Sequence, residues 1–512
     1  MKKLFIYLTV ILTISSCSDD FLDRGSLTQL AEGNFWLTEA DAQLGINGVY
    51  AALQSRALYS GNLNGNAGIP QYDGLSDNVF NSFKWEGPGI FMEANVDPAT
   101  PFFNSFWTAN YVGIGRANAA ISNISNISPD NISEESKGVL LGQAYFLRAL
   151  FYMNLAVYFE EAPLILEVQT LETAYVPKNS YNEIKLAIEE DLAKAIQTLP
   201  NSYPGSQFGY ATKGAALSLA ARWALYNQEY QKVVEFTNET LGLGYGLHNN
   251  YGQLFTEAGE LSNEIVFSIR FIIDQSNNTE TFSGTFLGAP KVDDSPMANL
   301  VDDYYCIDGL PISESPLYNP QNRKENRDPR LGASIYFPGD IFLVDLNRPF
   351  IGNTPTGFGR RKYTRNQASP EGIAVFAPGG QDFYLIRYAD VLLMRAEALA
   401  ELGQLGEVYD LVNQVRVRAG MPVIEDVEGS GLSQGQLIDI VRHERRVELA
   451  FESLRFFDLK RWGTMQEGYA RAAADPVGPF NPQYRGRRSE VFPIPQSELD
   501  ANRNLVQNPV WN

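Results

Sequence analysis

The stretch RHERRVELAFESLRFFDLKRWG, residues 442–463, decides the fold. Ile440, Val447, Phe451 and Leu454 lie 7, 4 and 3 apart, the spacing of one apolar helical face. Around it stand Glu444, Arg445, Arg446, Glu448, Glu452, Arg455, Asp458 and Arg461, with opposite charges three apart at Arg445/Glu448, Glu452/Arg455 and Asp458/Arg461. Charge at this density predicts a partly buried ion network that holds neighbouring helices in register. A salt-bridged surface helix is the plainer reading of the charges alone; the order of residue types through Trp462 and Gly463 argues against it.

Working outward, apolar stripes at helical spacing recur. Residues 143–159 place Leu147, Phe151, Leu155 and Tyr158 on one side, and 180–199 carry Ile184, Ile188, Leu192 and Ala195 before Pro200 stops them. Two hairpins follow from the same signals, 212–227 with 229–241 and 388–402 with 404–419. Short helices, small residues at close approaches and brief turns are how tetratricopeptide-type hairpins are built. No strict 34-residue consensus is met. The expectation is therefore a mainly α fold, a degenerate tetratricopeptide-like scaffold with long loop-rich insertions and a few short strands. The insertions are 60–106 and 262–386, rich in Gly, Asn, Pro and Asp, with a strand-like run at Glu264–Ile273. Loops this long inside a compact chain point to function.

Composition narrows the function. A length of 512 residues with 44% hydrophobic and 12% aromatic content describes an ordered globular protein. The formal charge is −20, or −22 without a leader carrying Lys2 and Lys3, which argues against nucleic acid and anionic membrane surfaces and mildly disfavours acidic polymers. Only Cys17, Cys306, His248 and His443 are available as soft or imidazole ligands, so no metal, no other cofactor and no histidine-based catalysis is expected. With 60 Asp and Glu residues, no local signature marks a glycosidase carboxylate pair, and Gly242–Gly246 lacks the strand and helix of a phosphate cradle. No signature points to an enzyme, although 60 acidic residues leave room for a carboxylate pair.

Lys2 and Lys3, an apolar run from Leu4 to Ile14 and small residues before Cys17 make a secretory signal that resembles a bacterial lipobox. Residues 1–16 are then the signal peptide, and residues 17–34 an acylated Cys17 and its tether. Several acyl chains on one residue anchor durably, where one does not.

The quoted block resembles the C-terminal signature of the SusD/RagB family of outer-membrane nutrient-binding lipoproteins. Trp107, Tyr111, Ile114, Ala117 and Asn118 are similar to its W-x3-Y-x2-I-x2-AN helix. Leu147-Arg148-Ala149 with Tyr158 and Pro163-Leu164, then Ala211–Ala216, Arg387–Asp390, Arg327–Leu331 and Pro493–Pro495, continue the likeness in order. The resemblance implies an N-terminal helical region over 35–256 and a C-terminal region over 257–512, packed as one unit. It implies capture of an oligosaccharide or polysaccharide beside a SusC-type TonB-dependent transporter, or of peptide in a RagB-type relative. It also implies a surface-exposed, lipid-anchored protein of the outer membrane, with Ser18-Asp19-Asp20 resembling an export signal.

Sugars offer apolar faces and hydroxyl edges, so a site without chemistry needs aromatic platforms among Asp, Asn and Arg. Residues 72–86, YDGLSDNVFNSFKWE, give the best mixture. The candidate ligand residues are Trp85 as leading platform, Phe83 and Tyr72, with Asp73, Asp77 and Asn81 as hydrogen-bonding partners. Further contributors are sought among Phe282, Phe286, Tyr304 and Tyr305, or Phe358, Arg360 and Arg361.

Overall fold

The computed structural model describes residues 35–61, 67–273, 278–286, 294–366, 379–477 and 480–512. Six long helices occupy the first half: α1 Glu39–Leu53, α2 Pro101–Ser125, α3 Glu134–Phe159, α4 Tyr181–Thr198, α5 Lys213–Tyr226 and α6 Tyr230–Leu241. Later come α7 Pro329–Ser334, α8 Tyr388–Glu401, α9 Gly406–Arg418, α10 Gln434–Glu448 and α11 Arg455–Arg461. The mainly α expectation holds. Each helix packs on its chain neighbour from α2 through α6, α8 packs on both α5 and α6, and α9 and α10 pack on α8.

Their starts are written locally. Thr38, Ser180 and Ser433 accept hydrogen bonds from the third residue of α1, α4 and α10, each within a reciprocal capping box. Helix α3 begins nine residues before its apolar stripe, at Glu134, because Ser133 caps it and Glu134 and Glu135 sit at its positive end. From Ala144 to Phe159 nearly every side chain of α3 is buried, so it is the centre of the core and not an amphipathic surface helix.

The strands are short antiparallel pairs: β1 Val79–Asn81 with β3 Asp294–Pro296, β2 Ile265–Ile269 with β8 Phe383–Arg387, β4 Ile335–Tyr336 with β7 Gly359–Arg360, and β5 Ile341–Leu343 with β6 Arg348–Pro349. In the first pair Asn81 stands opposite Asp294 and Val79 opposite Pro296, which joins the two long insertions side by side.

The block that opened the sequence reading is not one helix. Helix α10 ends at Glu448, the backbone turns left-handed at Phe451 and Ser453, and α11 starts at Arg455. Side chains have taken the main-chain groups that would continue it. Tyr251, Lys362 and Arg387 all donate to the Glu448 carbonyl, at 2.8, 3.1 and 2.8 Å. Arg360 donates to the Phe451 carbonyl at 2.9 Å, and the Phe451 amide donates to the Asp73 carboxylate.

The ion network is present, and mostly long-range. Of the three local pairs expected, Asp458–Arg461 forms at 2.7 Å. Arg445 instead lies between Asp390 and Asp458, at 3.0 and 3.3 Å. Glu448 receives Arg330, Arg387 and Arg418, and Glu452 receives Arg387 and Lys362. All these side chains are buried, so each charge is compensated in place, and removing one partner costs about 3–5 kcal/mol.

Candidate functional site

Strand β1 leads directly into Phe83-Lys84-Trp85-Glu86, where a single 3-10 turn spans Lys84–Glu86. The turn is fixed from three sides. The Ala67 amide donates to the Glu86 carbonyl at 2.8 Å, Lys84 pairs with Glu93 at 2.5 Å, and Gly87 closes the turn at φ +131°. A Cβ at Gly87 would stand 2.2 Å from the ring of Phe102, so only glycine fits.

On this support Trp85 is 62% exposed, and its ring meets that of half-buried Phe83 edge-to-face at 5.0 Å and 87°. An exposed indole on a turn braced by these contacts is a preformed platform for an apolar ring face. Behind it, Phe80 packs on Phe480 at 5.1 Å and the Asn481 amide donates to Glu93, which adds the C-terminal segment to the same corner.

The other candidates point inward, which corrects the expectation of a mixed exposed cluster. Tyr72 sits among Phe102, Phe106 and Tyr158 at 5.4–5.7 Å, and burial holds its phenol well above the usual range. Asp73 is fully buried, its carboxyl pushed up to about 6 by burial against the opposing pull of Arg360. Asp77 accepts from Arg455 and Arg471 at 2.8 and 2.7 Å, and Arg446 stands in ion-pair contact with it at 3.3 Å. Burial works to raise its carboxyl, and the three guanidinium groups outweigh it and hold it well below the ordinary carboxylate range. Asn81 is buried within the β1–β3 ladder. These four build and orient the site corner and expose no face for a ligand.

The secondary candidates divide similarly. Phe282, Phe286, Tyr304 and Arg360 are buried, with Arg360 bound to Asp294 at 2.6 Å, whereas Arg361 is exposed. Cys17 lies outside the described residues. Among the described residues no three His, Cys, Asp or Glu side chains gather as metal ligands would. Cys306 is buried as a free thiol.

Two family models match most of the chain: one described as the SusD family over residues 263–511, the other as starch-binding associating with outer membrane over residues 32–225. SusD-like protein P2 of Formosa agariphila is 26% identical, with 99% of each chain covered. The starch-binding protein SusD of Bacteroides thetaiotaomicron is 23% identical, with 71% of each chain covered. A SusD-like carbohydrate-binding protein of Bacteroides fragilis superposes with a TM-score of 0.79 at 27% identity, covering 92% of this chain and 100% of that one.

Proposed function

The chain belongs to the SusD family of glycan-binding, outer-membrane-associated proteins, and from that premise we propose that it captures oligosaccharides or polysaccharide at the cell surface for a SusC-type TonB-dependent transporter. The observation that carries this reading is Trp85, exposed and packed edge-to-face on Phe83, on a turn braced by the Lys84–Glu93 pair and closed by Gly87. Such a platform stacks on a sugar face without performing chemistry on it, so the protein binds and does not turn over its ligand. The open position of the indole suits affinities of millimolar to micromolar order, about −4 to −8 kcal/mol.

Cys17 is the proposed acylation site, which tethers the protein to the outer membrane with its mature body facing the medium. The names of related proteins, starch-binding and carbohydrate-binding, support glycan over peptide as the cargo.

Affinity electrophoresis through gels containing polysaccharides tests the binding claim, with Trp85→Ala as the comparison. Retardation that the variant loses supports it; retardation by no glycan, together with capture of peptides, would replace it with peptide import. Radiolabelled palmitate carried by the wild type and absent from Cys17→Ala tests the anchor.

A further inference from the structure

A concavity of about 670 Å³ lies between the 249–256 segment, α7 and the strand β7 exit. That size is in the usual range of small-ligand sites. Its wall carries Lys324, Arg330, Arg361, Lys362 and Arg418, and among the described residues no Asp or Glu lines it. In a chain of net charge −20 this is a local reversal.

Most of that positive charge is neutralised behind the wall. Arg330 is held by Asp328 at 2.7 Å, Lys362 by Glu452 at 2.6 Å, Arg418 by Glu264 at 3.0 Å, and Lys324 by Asp340. Arg361 differs. Its guanidinium donates to the Gly332 carbonyl at 2.8 Å and lies over the Tyr336 ring at 5.1 Å, with no carboxylate within ion-pair distance among the described residues. The wall is therefore left with one uncompensated cation. Asn250 and Gln253 add amides able to meet hydroxyl groups.

We propose that this pocket accepts an anionic sugar residue, a uronate carboxylate or a sulfate ester carried on a glycan, with Arg361 as its charge partner. A guanidinium fork matches the paired oxygens of either group. The overall negative charge repels an acidic polymer at long range, so recognition must come from a short-range contact of this kind. The inference rests on the glycan reading above and names its substrate class.

The test runs the full-length mature protein through gels containing polygalacturonate, a sulfated galactan or a neutral β-glucan, with Arg361→Ala and Arg361→Lys alongside. At least one acidic polymer should retard the wild type. Arg361→Ala should weaken that binding about tenfold, and Arg361→Lys, which keeps charge and loses the fork, by less. Melting temperatures of the variants verify that they fold, as an exposed side chain allows. Equal retardation of Arg361→Ala overturns the proposal. So does stabilisation by inorganic sulfate without retardation by any acidic polymer, which would mark a free-anion site. Retardation by the neutral glucan alone overturns it too, while leaving glycan capture at Trp85 standing.

Discussion

Asp77 and Arg455, 378 residues apart in the chain, meet in the buried interior, where Nε of Arg455 donates to Oδ1 of Asp77 at 2.8 Å. This contact ties the segment that carries the ring platform to the charged signature near the C-terminus. Arg446 and Arg471 converge on the same carboxylate.

Replacing Asp77 with Ala strands up to three guanidinium groups. The expected loss is about 3–5 kcal/mol, the cost of an uncompensated buried charge. Urea denaturation reads it directly. A loss below about 1 kcal/mol would show that water or a shifted side chain replaces the carboxylate.

Trp85 and Tyr72 lie thirteen residues apart and should fail in opposite ways. Trp85→Ala should leave stability within about 0.5 kcal/mol, since its side chain is largely in solvent, and abolish retardation in glycan gels. Tyr72→Ala removes a ring packed among Phe102, Phe106 and Tyr158 and should cost about 3–5 kcal/mol. At temperatures where the Tyr72 variant still folds, it should still bind. Measured together, melting and gel mobility separate platform from support.

Gly87→Ala combines both effects. Its methyl group meets Phe102, and its φ of +131° disfavours any L side chain, so the turn beneath Trp85 must move. Stability should fall by about 1–3 kcal/mol and glycan affinity should fall with it. Unchanged affinity would detach the turn geometry from binding.

Glu260 gives a pH signature. Burial, then the nearby charge of Asp382, push its carboxyl up to about 8, while it accepts the Asp382 amide at 2.7 Å. A carboxyl raised in the folded state contributes fully below its unfolded value of about 4.3, and that contribution is lost as pH rises through about 8. Wild-type stability should therefore decline between these limits, and Glu260→Gln should decline less. Some slope should persist, because Asp382 itself is raised to about 6. Denaturation midpoints measured at about pH 5 and about pH 8.5 decide it, and parallel profiles would exclude Glu260 as the source.

Helices α4, α5, α6, α8 and α9 were legible because apolar period and stop residues agree within each segment, with Ser180 and Thr212 adding side-chain caps to α4 and α5. The break between α10 and α11 was not, because an unbroken helical period runs through Phe451 and Leu454. The groups that force the turn, Arg360, Lys362 and Arg387, lie far away in sequence. The same distance hid the fate of Asp73 and Asp77: beside aromatic residues they read as a ligand surface, and only their remote arginines make them interior. Arg360 and Arg361 show how fine the discrimination is. Adjacent residues leaving a strand face opposite sides, so one is buried against Asp294 and the other faces solvent.

The three arginines that converge on Asp77 all follow residue 440, so the earliest part of the chain to be synthesised must await the last before its charge is matched. Until the ribosome has delivered Arg471, that carboxylate has no stable home in the interior. The interior around Asp77 is thus complete only when the C-terminal region is in place.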